Sequence, residues 1–214
     1  MLFKNANKVY DISPTISKDI AVFPGDTPFK RDILMSFDKG DHLLLSTIQS
    51  TVHLGAHADA PNHYDPEGVG IDQRELHYYL GPCQVISVEV PPKGRIYPKH
   101  IDNIKLLAPR VLFKTGSFDD PNTWNMDFNS LSPELIEWLA QKKVILVGID
   151  TPSVDPSDDK DLDSHHTIFK NNLAILEGLL LKNVPDGLYE LIALPLKLKD
   201  ADASPVRAIL IEKE

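Results

Sequence analysis

Cysteine is almost missing from this chain. Cys83 stands alone in 214 residues, so no internal disulfide can form, and the usage suits a reducing cytosol. Following Gly81-Pro82, its thiol reads as a small buried apolar group. A basic run is missing as well. The 22 Lys and Arg are outnumbered by 31 Asp and Glu, for a net charge of −9, and nucleic acid is not an expected partner. No stretch reaches the ~20 apolar residues of a membrane span. The stretch Met1-Leu2-Phe3-Lys4-Asn5-Ala6-Asn7 has no apolar centre like that of an export signal. There is no internal repeat, linker or low-complexity tract. The expectation is a cytoplasmic protein with no membrane partner. What is present, 42% hydrophobic and 25% charged residues, is ordinary for a soluble protein, and residues 1–214 are expected to form one domain.

The most informative stretch is His53-Leu54-Gly55-Ala56-His57-Ala58-Asp59-Ala60-Pro61-Asn62-His63. A lone histidine is usually a surface or satisfied core residue, but here three histidines and a carboxylate fall within eleven residues. Imidazole nitrogens and a carboxylate oxygen suit zinc and neighbouring divalent ions. A straight strand would leave positions 53 and 57 ~13 Å apart at ~3.3 Å per residue. That is too far for two imidazoles to share one ion at ~2.1 Å. Gly55 and Pro61 argue against a long helix. The pattern therefore predicts a tightly bent segment, with Gly55 supplying the bend and Ala56, Ala58 and Ala60 allowing close backbone packing.

Elsewhere the pattern is α/β. Val9–Ile12 reads as a strand, and Leu43–Val52 alternates polar and apolar residues as a strand delivering His53 would. Val85–Val90 and Val111–Lys114 are further strands, and Lys99–Leu107 is expected to be a short helix. Ser132, Pro133 and Glu134 form a helix start, as N-cap, first helical residue and dipole partner, for a helix running to about Gln141. Val144–Asp150 is a nearly continuous apolar run, the pattern of a strand covered on both faces. Its end, Asp150-Thr151-Pro152-Ser153, is where a site is expected in such a fold. The acidic stretch 155–163 reads as a solvated loop, with Ser164 capping a short helix that begins at His165-His166. Glu177, after the apolar run Ala174-Ile175-Leu176, is costly to bury unless paired or bound to metal. Leu188–Leu194 and Val206–Ile211 are closing strands, with Ala203-Ser204-Pro205 the turn before the last. In the stiff loop Val22–Phe29, Phe23 is either a core plug or a pocket wall.

His-x-Gly-x-His-x-Asp-x-Pro-x-His resembles the signature of the cyclase-like metal-dependent hydrolases, and especially of the bacterial kynurenine formamidases (arylformamidases). The resemblance continues through Pro24-Gly25-Asp26-Thr27-Pro28, Asp150-Thr151-Pro152-Ser153-Val154-Asp155 and Ile175-Leu176-Glu177-Gly178, so it covers nearly the whole chain. Two positions depart from the family habit: Ala56 where threonine is common, and Phe23 where tryptophan usually meets the aromatic substrate.

The resemblance implies a single-domain α/β fold with a mixed sheet, in the swivelling β/α/β arrangement. It implies two divalent ions, zinc or manganese, one on His53, His57 and Asp59 and the other on Asp59, His165 and Glu177. His166 is an extra candidate beside His165. It further implies Phe23 at the substrate and a homodimer. His63 is read as the proton carrier, with a third ligand imidazole as the alternative. The implied reaction is hydrolysis of N-formyl-L-kynurenine to L-kynurenine and formate. The alternatives are another aryl or cyclic amide such as isatin, or metal binding without catalysis.

Overall fold

A computed structural model describes residues 8–212, so the Met1–Asn7 stretch read above lies outside the described residues. In chain order the strands and helices are β1 (Val9–Asp11), β2 (Lys30–Met35), β3 (Leu45–Gln49), β4 (His57–Asp59), β5 (Leu80–Ser87), β6 (Arg95–Ile96), β7 (Arg110–Lys114), β8 (Ser130–Leu131), α1 (Pro133–Gln141), β9 (Leu146–Ile149), α2 (Asp163–Lys170), β10 (Ala174–Leu176), β11 (Gly187–Ile192), β12 (Ala203–Pro205) and β13 (Ile209–Glu212).

Seven strands form a mixed sheet in the order β1-β13-β11-β5-β7-β9-β10. β5, β7, β9 and β10 are parallel, and β11, β13 and β1 extend the sheet antiparallel. Side chains alternate across a strand, and that alternation divides the core. Val85, Leu112, Leu146 and Leu176 face one apolar cluster, while Ile86, Val111, Val147 and Ile175 face the other. Both faces are covered, which is why the 144–150 run carries no polar alternation. Leu135, Ile136 and Leu139 of α1 and Ile168 of α2 close the second face, each buried side chain contributing ~1.5–3 kcal/mol. α1 starts as its sequence dictates: the Ser132 side chain accepts from the Leu135 N–H at 3.1 Å and Pro133 takes the first helical position.

The fold class is the expected one, but several elements differ from their sequence pattern. Residues 99–107 form no helix beyond a 3-10 turn at Pro98–His100, because Asp102 and Asn103 are weak helix formers and Ile101 and Ile104 serve turn contacts instead. The alternating 43–52 segment is a strand only at Leu45–Gln49, and it pairs with β2 as a separate hairpin outside the main sheet. Its Ile48 is 66% exposed, so the alternation there does not mark a core face. Ser164 lies inside α2 rather than capping it. Ala203–Pro205 is strand β12, antiparallel to β4 with Ala203 opposite Asp59.

β4 crosses the C-terminal end of β10. The His57 N–H donates to the Glu177 carbonyl at 3.1 Å and the Glu177 N–H to the His57 carbonyl at 3.0 Å. The bent histidine segment is thereby pinned beside the ends of the parallel strands, where α/β sheets form their clefts.

Candidate active site

Gly55, at φ +57°, makes the expected bend between His53 and β4. Past the bend, His57 and Asp59 lie in β4, and the 3-10 turn Pro61–His63 brings His63 back towards them. β10 delivers Glu177, and the first turn of α2 delivers His165. Positions spread over 125 residues of sequence thus meet at one place. His166 is exposed and does not join them.

Asp59 is the centre of the group. Its Oδ1 lies 3.1 Å from His53 Nδ1 and 3.4 Å from His57 Nε2, and its Oδ2 lies 3.5 Å from His165 Nε2. Glu177 divides in the same way, with Oε2 3.2 Å from His57 Nε2 and Oε1 3.7 Å from His165 Nε2. Neither Asp59 oxygen has a hydrogen-bond partner among the described residues, although both are buried. A buried carboxylate without donors is costly. A cation would relieve it, and the spacing fits, since ligand atoms at ~2.1 Å around a tetrahedral ion lie ~3.4 Å apart. Groups whose ligand atoms converge closely enough for an ion are His53-His57-Asp59, Asp59-His63-His165 and His53-His63-Asp202, among the described residues. The donor set fits a divalent ion.

The imidazoles are held from behind. The Gly55 carbonyl lies 2.9 Å from His57 Nδ1, turning Nε2 towards the carboxylates. Asp155 Oδ2 lies 2.8 Å from His165 Nδ1, and Asp202 Oδ2 lies 3.0 Å from His53 Nε2. Electrostatics follow the geometry. Burial opposes ionisation of Asp59, but His53 and His165 beside it outweigh burial and hold its carboxyl well below the usual range. Burial likewise opposes charge on His53 and His165. The facing carboxylates prevail, raising the first to about 9 and the second to about 10 when no ion is present. His63 goes the other way: burial, with His53 and His165 nearby, lowers its pKa.

His53, His57, His63, His165 and Glu177 line a cavity of about 560 Å³. Phe23 lines it too, 52% exposed, with its ring edge-on to Trp124 at 5.4 Å. It is a wall and not a core plug. Asp150, at the end of β9, also lines the cavity, but its oxygens accept from Thr115 and Gly116, which makes it a tie between loops. Sequence reasoning missed three contributors. Asp155 was hidden in an acidic stretch, though its position after the apolar Val154 was a signal. Asp202 and Trp124 carry no local signal, since only the β12–β4 pairing and the 117–128 loop bring them to the site.

With that geometry in view, comparison with known proteins is direct. The family model described as "Putative cyclase" matches residues 10–156. The chain belongs to this cyclase family. A kynurenine formamidase from Bordetella petrii is 46% identical over 207 residues, covering 96% of this chain and 98% of the relative. A solved structure described as a potential metal-dependent hydrolase with cyclase activity is 30% identical, with a TM-score of 0.83 over 97% of this chain and 98% of that one. An isatin hydrolase bound to the product analogue thioisatinate has a TM-score of 0.80 over 97% of this chain and 93% of its own. At 19% identity that likeness speaks to the fold alone.

Proposed function

We propose that this protein is a kynurenine formamidase, a hydrolase that splits the linear amide of N-formyl-L-kynurenine into L-kynurenine and formate in tryptophan degradation. The observation that carries the reading is the division of Asp59, one oxygen facing His53 and His57 and the other facing His165, beside a cavity with an aromatic wall. A carboxylate so placed can bridge two cations. His53, His57 and Asp59 would hold one, and Asp59, His165 and Glu177 the other, with zinc and manganese both suited to this donor set. Ions held there would polarise the formyl carbonyl and lower the pKa of water.

The chain's own residues supply the rest. Phe23 and Trp124 offer apolar faces to the aryl ring, and a cavity of about 560 Å³ lies within the usual range for small-molecule sites. His63, its ring 4.2 Å from that of His53, has its pKa lowered by partial burial, with His53 and His165 nearby. It can take the proton that water loses on attacking the formyl carbon and give it to the aryl amine as the C–N bond breaks. Metal storage alone would not need the aromatic wall.

The chain is read as one domain over residues 1–214 that pairs into a cytoplasmic homodimer. The β2–β3 hairpin supports the pairing, since Ile33, Leu34, Phe37, Leu44 and Ile48 on and beside it are exposed. Exposed apolar side chains gathered on one hairpin suit an association surface. The lone buried thiol of Cys83 suits a reducing compartment.

Turnover of N-formyl-L-kynurenine, simpler N-formyl aryl amines and isatin by the metal-loaded protein is the test. Release of formate from the first at the highest kcat/KM is expected. Faster opening of isatin would replace the assignment.

A further inference from the structure

We infer that Asp155 is a positioning residue, which fixes His165 with its proton on Nδ1 and its Nε2 lone pair aimed between Asp59 and Glu177. The inference rests on the reading that His165 holds a divalent ion, and goes on to say what makes it able to. Asp155 is fully buried, yet every hydrogen bond of its carboxylate is with a donor. It accepts from the backbone N–H of Ser164 at 3.1 Å and of His165 at 3.0 Å, and from Arg95 Nη1 at 2.8 Å. An ionised carboxylate only accepts. The 2.8 Å contact with His165 Nδ1 therefore places the proton on that nitrogen, leaving Nε2 to face Asp59 Oδ2 at 3.5 Å and Glu177 Oε1 at 3.7 Å. One carboxylate caps the start of α2 and sets the tautomer of the histidine in its first turn.

Arg95 secures the arrangement. From β6 its Nη1 also donates to the Leu131 carbonyl and to Ser164 Oγ, each at 2.9 Å, and its Nη2 reaches Asp159 at 2.6 Å. Asp159 lines the cavity. The guanidinium thus ties the cavity wall, the helix start and the carboxylate behind His165 into one unit, a planar fork that lysine could not replace.

The test is zinc affinity and stoichiometry by titration calorimetry, with the melting temperature of each metal-free variant measured alongside. Asp155→Asn keeps the shape but can turn an amide N–H towards Nδ1, which moves the proton to Nε2 and blocks it. A loss of about 10- to 100-fold in affinity for one ion is expected, with the second ion retained. In a His165→Ala background the same change should have no further effect on affinity. Nitrogen-15 NMR of the zinc-loaded wild type, with the His165 signals assigned by their loss in His165→Ala, should show a protonated Nδ1. Wild-type affinity in Asp155→Asn, or a bare Nδ1 on His165, would overturn the inference and leave Asp155 as a helix cap. A wild type that binds no zinc or manganese would instead overturn the metal reading itself.

Discussion

Gly178 stands so close to Gly55 that a Cβ on Gly178 would lie 2.1 Å from the Gly55 carbonyl oxygen. Both residues have positive φ, +64° and +57°, so each is where only glycine is at ease. The contact lets the bent histidine segment lie against the end of β10, and it sets the distance between His57 and Glu177. Gly178→Ala should force the two segments apart. The backbone conformation alone costs ~1–3 kcal/mol, and the clash adds to it. The melting temperature should fall and divalent-ion affinity should drop with it. Unchanged affinity would mean that this approach does not set the site.

The split of Asp59 oxygens predicts a difference between two variants. Asp59→Ala should lose both ions, because it removes the carboxylate that faces His53 and His57 with one oxygen and His165 with the other. Glu177→Ala should weaken mainly the ion at His165. Elemental analysis of the purified proteins decides it, and saturation at one ion per wild-type chain would remove the binuclear reading.

Phe23 is half exposed at the cavity mouth, so its truncation should not open a core void. Phe23→Ala should raise KM for an aromatic formamide while melting temperature and metal content stay near wild type. A loss of the ~3–5 kcal/mol typical of a buried phenylalanine, with KM unchanged, would return Phe23 to the role of a plug.

His63 lies near both a candidate ligand group and the cavity. As proton carrier it predicts that His63→Ala keeps both ions while kcat falls by ~10²–10⁴. Esters, whose leaving groups need protonation less, should lose less. Metal loss in this variant would make His63 a ligand, as its place in the Asp59-His63-His165 group permits.

The metal-free protein should respond to pH in a defined direction. The folded pKa of His53 is raised from 6.5 to about 9, and that of His165 to about 10, by the carboxylates that overcome burial. Their contribution to stability is therefore complete below pH 6.5 and is lost as pH rises through 9 and 10. Thermal melts in a chelator between those limits should show a falling melting temperature. With an ion in place of the protons, the loss in that window should disappear. A flat profile for the metal-free form would contradict the charge arrangement around Asp59.

The sequence alone determined the layers and the donors. Long apolar runs such as 144–150 read directly as strands covered on both faces, because their side chains need no water-facing partners. Ser132-Pro133-Glu134 specified a helix start through local bonding. His53, His57, Asp59 and His63 stood out because their spacing has no use in an ordinary strand or helix, and Glu177 because a carboxylate after an apolar run needs a partner. Tertiary structure decided what those donors face. That Asp59 is shared depends on β4 crossing the end of β10, a contact between residues 57 and 177 for which no local pattern exists. Asp202 reaches His53 only because Ala203–Pro205 pairs with β4. Asp155 was legible as an acid but not as a buried one, since burial of a single carboxylate is set by Arg95 and α2, which fold in from either side of it in sequence. Local chemistry is written in neighbouring residues, whereas the pairing of charges depends on which distant segments share a boundary.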